Sequence, residues 1–242
     1  MKNSIEVINL SKSYKTKKVV HNINFKINEN EIVGLLGPNG CGKTTTIGMI
    51  LGLLKPTSGQ VLINGKNIEN NKISILHKMN FISPYIELPK KLTVKQNLIV
   101  YGKLYNIQNL NQRINFLSEK LRLGDLLDKI TGELSSGQKN RVSLAKALIN
   151  DPTVLLLDEP TAALDPETAD FIRTFLEKYK EEKKISVLLA SHNMDEVKRL
   201  CNSVMMMKDG NIVDSGTPEN LIKKYGQKNL EEVFLEIVRN DK

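Results

Sequence analysis

Two stretches of the 242-residue chain concentrate groups able to handle a phosphate chain. The first, Gly37-Pro38-Asn39-Gly40-Cys41-Gly42-Lys43-Thr44, fits the pattern G-x-x-x-x-G-K-[ST] and runs on into Thr45. Its glycines let the backbone curl so that successive N–H groups and a positive helix end face anionic oxygens. Lys43 adds a mobile charge for the β and γ phosphates, and the Thr44 hydroxyl is a hard oxygen suited to magnesium. In the second stretch, Asp158-Glu159 follows the apolar run Val154 to Leu157. Asp158 is placed to hold magnesium and Glu159 to orient or deprotonate an attacking water. Taken singly, a glycine-rich turn with a solvated lysine or a pair of surface acids explains either stretch; together they point to nucleotide hydrolysis.

These groups need strands to carry them. Ile32 to Leu36, Val154 to Leu157 and Val187 to Ala190 are too short for helices and too continuous for one-sided strands, so they read as buried parallel strands. The polar residues that follow, including Ser191-His192, then converge at the carboxyl ends of one sheet, where open α/β sheets bind ligands. Ile23, Phe25 and Ile27 alternate, and Val61 to Ile63 precedes a turn at Asn64-Gly65, which predicts flanking antiparallel strands. Helical spacing dominates from about residue 85 to 133, as at Ile114, Leu117 and Leu121. Near the end, Asp209-Gly210 reads as a hairpin turn, and Leu230, Val233, Phe234, Ile237 and Val238 form one face of a helix expected to pack on its own domain.

Order and spacing supply a resemblance. Leu134-Ser135-Ser136-Gly137-Gln138 resembles the LSGGQ signature of ATP-binding cassette (ABC) ATPases, with Ser136 in place of the first glycine, and it precedes a helix bearing Val142, Ala145, Leu148 and Ile149. Ala163-Leu164-Asp165 resembles the D-loop of that family, and His192 its switch histidine, which implies contact with the γ phosphate. Tyr14 resembles the aromatic that stacks on adenine; from the residues alone, a buried tyrosine is nearly as natural there. The resemblance implies an α/β fold: a P-loop NTPase core with a mixed, mainly parallel sheet, an antiparallel β flank and an inserted helical subdomain. The expected division is 1–84 and 149–208 for the core, 85–148 for the helical and signature part, and 209–242 for a hairpin and amphipathic helix.

It further implies ATP and Mg2+ as ligands, catalytic roles for Lys43, Glu159 and His192, and a dimer, expected to be of two copies of this chain. Ser135, Ser136, Gly137, Gln138 and Asp165 of one copy would then meet the nucleotide held by the other. A separate transmembrane permease is the expected partner, placing the protein in the cytoplasm against the inner face of the membrane. The tail resembles those of stand-alone bacterial exporter subunits. One departure stands out: Pro84 occupies the position of the family's Q-loop glutamine, and proline has no side-chain donor or acceptor.

Composition narrows the alternatives. No apolar run approaches the roughly 18 residues that cross a bilayer, and the first residues lack an apolar secretion core. Two cysteines, Cys41 and Cys201, are too few for a disulfide framework and fit a reducing compartment. A net charge of +8 leaves a second reading, a soluble ABC ATPase on nucleic acid or ribosomes, but the lysines are scattered and tryptophan is absent, so no nucleic acid is expected. A P-loop small-molecule kinase leaves the signature segment and His192 unexplained. Cys41, close to Lys43 and a helix start, is expected to have a lowered thiol pKa and to be shielded from alkylation by ATP.

Overall fold

The computed structural model describes residues 2–84 and 86–239. The strands are β1 (Asn3–Tyr14), β2 (Lys17–Asn28), β3 (Ile32–Leu36), β4 (Ser58–Ile63), β5 (Lys66–Asn67), β6 (Met79–Ile82), β7 (Val154–Asp158), β8 (Ser186–Ala190), β9 (Ser203–Lys208) and β10 (Asn211–Gly216). The helices are α1 (Lys43–Ile50), α2 (Lys72–Leu76), α3 (Val94–Leu104), α4 (Leu110–Lys120), α5 (Ser136–Leu148), α6 (Pro166–Lys183), α7 (Met194–Leu200), α8 (Pro218–Tyr225) and α9 (Leu230–Arg239). They gather into two units, residues 1–76 with 185–242, and residues 77–184.

In the first unit β1 pairs antiparallel with β2 on one side and β4 on the other, and β5 extends the sheet beyond β4. The β1–β2 register slips near Asn9 and Asn22, both with positive φ, a conformation asparagine tolerates better than most residues. Side chains hold the slips: Asn9 N–H donates to Asn24 Oδ1 at 2.8 Å, and Asn22 N–H to Ser11 Oγ at 2.9 Å. These slips explain why β1 is hard to see in the sequence. Its buried Ile5, Val7 and Leu10 step by two and then by three.

The second sheet of this unit places β3 parallel between β8 and β9, with β10 returning antiparallel along β9. All five residues of β3 and all five of β8 are buried, as expected of strands covered on both faces. Asp209 and Gly210, both with positive φ, make the two-residue turn expected there. On α1, Ile47, Met49 and Ile50 are buried. The tail helix forms where its periodicity predicts, with Leu230 and Val233 buried and Phe234, Ile237 and Val238 half-buried.

The second unit contains the parallel pair β6–β7 and helices α3 to α6. Leu98, Ile114, Leu117, Leu121, Val142, Ala145 and Leu148 are among its buried apolar side chains on α3, α4 and α5 or at their ends. Burial of each leucine or isoleucine contributes about 1.5–3 kcal/mol. Thr93 starts α3 with a reciprocal capping box to Gln96. Arg113 of α4 donates to Leu148 O at the end of α5, to Asp151, and to the Tyr179 hydroxyl of α6. Burial pushes the Tyr179 phenol up to about 12, against the opposing pull of Arg113. The segment 85–148 expected to be helical lies within this unit, which extends past it at both ends. The architecture is α/β, with one mixed and one antiparallel sheet, as anticipated.

Candidate functional site

The loop 37–42 begins where the buried strand β3 ends and delivers the chain into α1. Gly37 is required by space, Gly40 by its dihedral angle and Gly42 by both. A Cβ on Gly37 would lie 2.2 Å from Met207 O, and Gly42, at φ +110, would meet Met207 Cε at 2.8 Å and Val19 O at 2.9 Å. Gly40 is different, because its open side has nothing within 4 Å. Lys43 folds back over the loop, its Nζ donating to Gly37 O at 2.6 Å and Pro38 O at 3.1 Å. That arrangement places a cation over a curled backbone.

Helix α1 starts without a side-chain cap and without an acid in its first turn. Its first closing bond is Thr46 N–H to Gly42 O at 2.9 Å, so the amides of Lys43, Thr44 and Thr45 precede any intrahelical acceptor. Together with the helix dipole, those amides favour an anion. Thr44 is exposed on this turn and offers its hydroxyl to a cation accompanying phosphate. The donor chemistry therefore fits a magnesium nucleotide.

Cys41 departs from expectation. Only 3% exposed, it sits under the loop with its Sγ 4.0 Å from Lys43 Nζ. Burial pushes its thiol pKa up and outweighs the opposing effect of Lys43, so the expected lowering is corrected. The sequence shows the nearby lysine but not the loss of water around the sulfur.

Two other expected residues belong to the same unit. Tyr14, at the end of β1, is 45% exposed, and Lys12 Nζ lies 5.1 Å from its ring centroid. The buried alternative for this ring is thereby excluded. His192 follows β8 and is exposed. Its neighbours are fixed: Ser191 Oγ donates to Glu196 at 2.6 Å, while Asn193 caps α7 through the amides of Asp195 and Glu196.

The remaining expected residues lie in the second unit. Asp158 closes the buried strand β7 and is 8% exposed. The pairing of Ile82 with Leu157 continues to bring Ser83 alongside, with its hydroxyl 3.5 Å from Asp158 Oδ2. Pro84 next to it is exposed. Glu159 has φ +51, a strained conformation for a residue with a side chain, costing roughly 1–3 kcal/mol. That sharp turn takes the chain out of the strand immediately after Asp158.

Ser135 caps α5 by accepting from Gln138 N–H at 3.3 Å, while Gln138 Oε1 accepts from Ser135 N–H at 3.0 Å. Ser136 and Gly137 form the first turn, and a Cβ on Gly137 would come within 3.2 Å of Thr168 on α6. Asp165 caps α6, accepting from Thr168 N–H at 2.9 Å; this bond holds its carboxyl below the usual range. A cavity of about 220 Å3 is lined by Ser136, Glu159, Ser83 and Pro84 among others. The start of the signature-like helix and the strained glutamate thus share a cavity. Residues 37–45, Tyr14 and His192 fall in one unit, and Ser135–Gln138, Asp158, Glu159 and Asp165 in the other.

A family model described as ABC transporter matches residues 20–162. The chain is an ATP-binding subunit of the ABC transporter family. It is 36% identical over 221 residues to the Nod factor export ATP-binding protein I of Paraburkholderia xenovorans, covering 90% of this chain and 72% of that protein. It is 38% identical to the methionine import ATP-binding protein MetN of Legionella pneumophila, covering 91% of this chain and 66% of that one. With the choline transport ATP-binding protein OpuBA of Bacillus subtilis it shares 35% identity, and the match spans 60% of that protein's length.

Solved structures agree. The cassette superposes with a TM-score of 0.81 on cbiO1 from Clostridium perfringens, part of the cbiONQ transporter complex, at 29% identity, covering 98% of this chain and 100% of that one. Against the dimeric post-hydrolysis cassette MJ0796 bound to ADP and Pi the TM-score is 0.80 at 27% identity, covering 88% and 98%. Cassettes of this family are ATPases. Among the described residues no helix is long and apolar enough to cross a membrane.

The residues that support the phosphate loop were not legible in the sequence. Met207 and Gly210 on the β9–β10 hairpin and Val19 on β2 touch it from distant parts of the chain. Asp209-Gly210 is visible only as a turn. Ser83 carries no motif of its own, and the only sequence signal for it is the β6 run that pairs with the carboxylate strand β7.

Proposed function

We propose that this cassette drives export through a separate membrane permease, acting as a dimer of two copies. The nucleotide binding on which this rests is supported most by the open, uncapped start of α1 beneath the Lys43 ammonium, a cradle of amides and positive charge with no protein anion in its first turn. Lys43 and the loop amides hold the β and γ phosphates, and Tyr14 offers a partly exposed ring for adenine. Thr44 and Asp158 would hold magnesium, which when bound neutralises phosphate charge. Glu159 orients and deprotonates the attacking water, and His192 senses the γ phosphate.

Ser135, Ser136 and Gly137, with Gln138 and Asp165, serve the nucleotide carried by the partner copy. Closure draws two positive helix starts toward one triphosphate, and loss of the γ phosphate releases them. The resemblance of the tail to exporter subunits and the similarity to a Nod factor export protein support outward transport. The test is reconstitution with the permease encoded by a neighbouring frame, in vesicles whose cassette face is outside. ATP added outside should then drive solute from the medium into the lumen; ATP-dependent loss from preloaded vesicles would establish import. Binding to nucleic acid that falls steeply with salt, with no association with membranes, would favour the soluble reading suggested by the +8 charge.

A further inference from the structure

The phosphate loop is held from outside by one residue of the β9–β10 turn. In a trans peptide the carbonyl and the following N–H point to opposite sides. The Cys41 carbonyl accepts from Gly210 N–H at 2.9 Å, which fixes the peptide joining Cys41 to Gly42. The Gly42 amide, immediately before α1, is thereby turned away from the hairpin.

Gly210 is itself held at its other end. Its carbonyl accepts from His21 N–H of β2 at 2.8 Å, and its φ is +77. A Cβ there would lie 2.3 Å from His21 Cδ2 and 2.5 Å from Val19 O, so any side chain would push the turn off β2 and carry the donor with it. Met207 adds a second brace, its carbonyl against Gly37 and its Cε against Gly42. Between these braces, Lys208 Nζ donates to Ile237 O at 3.2 Å and ties the hairpin to the tail helix α9.

We propose that Gly210 is a positioning residue for nucleotide binding: its amide pins the Cys41–Gly42 peptide so that the Gly42 N–H is presented to phosphate. The hairpin and tail helix are then part of the nucleotide site without touching the nucleotide. This rests on the phosphate loop binding ATP, as set out above.

Cys201 offers a native ligation junction, so a peptide spanning 201–242 can be joined to residues 1–200 and refolded. Glycolic acid in place of Gly210 exchanges the N–H for an ester oxygen and leaves the shape unchanged. The expected result is ADP affinity about three- to tenfold below that of the all-amide protein made the same way, consistent with loss of one hydrogen bond. KM for ATP should rise in parallel, with kcat at saturation changed less than twofold. Gly210→Ala, made by ordinary expression, should shift KM in the same direction and further.

A fall in thermal stability with unchanged ADP affinity and KM in the ester protein would overturn the proposal and leave the hairpin a purely structural brace. If the all-amide protein itself fails to bind ADP, the nucleotide assignment falls and this inference with it. The two failures are distinguished by that control alone.

Discussion

Helices α1 and α5 both begin with residues that seek phosphate, yet their first turns are completed in opposite ways. At α1 the N-cap is Gly42, with no side-chain cap, and the loop is braced by Lys43 and by groups on β2 and β9–β10. At α5 the Ser135–Gln138 capping box satisfies the turn from within. The first start is braced by distant supports; the second is braced by its own side chains, which pair the amides of Ser135 and Gln138. The difference suits a site where one surface grips the nucleotide and the other meets it later.

Substitutions should separate the two ends by size of effect. Glu159→Gln should reduce turnover most, by about 10^3-fold, within the range of a lost general base, while ATP binding survives and an ATP-bound dimer accumulates in gel filtration. Parent-like turnover would remove Glu159 from that role. Lys43→Ala comes next, with kcat/KM for ATP down about 10^2–10^3-fold through loss of a charge aimed at phosphate. Unlike Glu159→Gln, it should also abolish retention of ATP in equilibrium dialysis, which places the gripping surface at α1.

Ser135→Ala should have the smaller, self-contained effect expected of a helix cap. Chemical denaturation should show about 1 kcal/mol lost, with ADP affinity of the monomer unchanged. A large loss of monomer affinity would contradict the division between the two helix starts. The smallest effect concerns Cys41. Because burial raises its pKa, the rate of iodoacetamide labelling should still be climbing past the pH of about 8.5 at which a free thiol is half ionised. A plateau reached below pH 8 would show that Lys43 outweighs burial. ADP should slow the labelling at every pH.

Local features were legible in the sequence. Ile32 to Leu36, Val154 to Leu157 and Val187 to Ala190 are continuous apolar runs, and each is a buried strand or most of one. The α9 face and the Asp209-Gly210 turn could also be read, because periodicity and turn chemistry are written in neighbouring residues. What escaped depends on contacts across the chain. The register slips at Asn9 and Asn22 break the alternation of β1, and the environment of Cys41 is set by Lys43, visible nearby, and by burial, which is not. Tyr14 could be assigned either way until its exposure was known. Gly210 shows only a turn, although its amide reaches the phosphate loop.

The Arg113 anchor gives α5 a mechanical character. The helix is 13 residues long, roughly 20 Å at 1.5 Å per residue, and its far end is tied to α4 and α6 through Leu148 O, Asp151 and Tyr179. A rod clamped at one end converts a small tilt at the clamp into travel at the tip, so a rotation of about 5° carries Ser135 through roughly 1.7 Å over that length. Stiffness at the arginine end therefore sets how finely the serine tip can be steered.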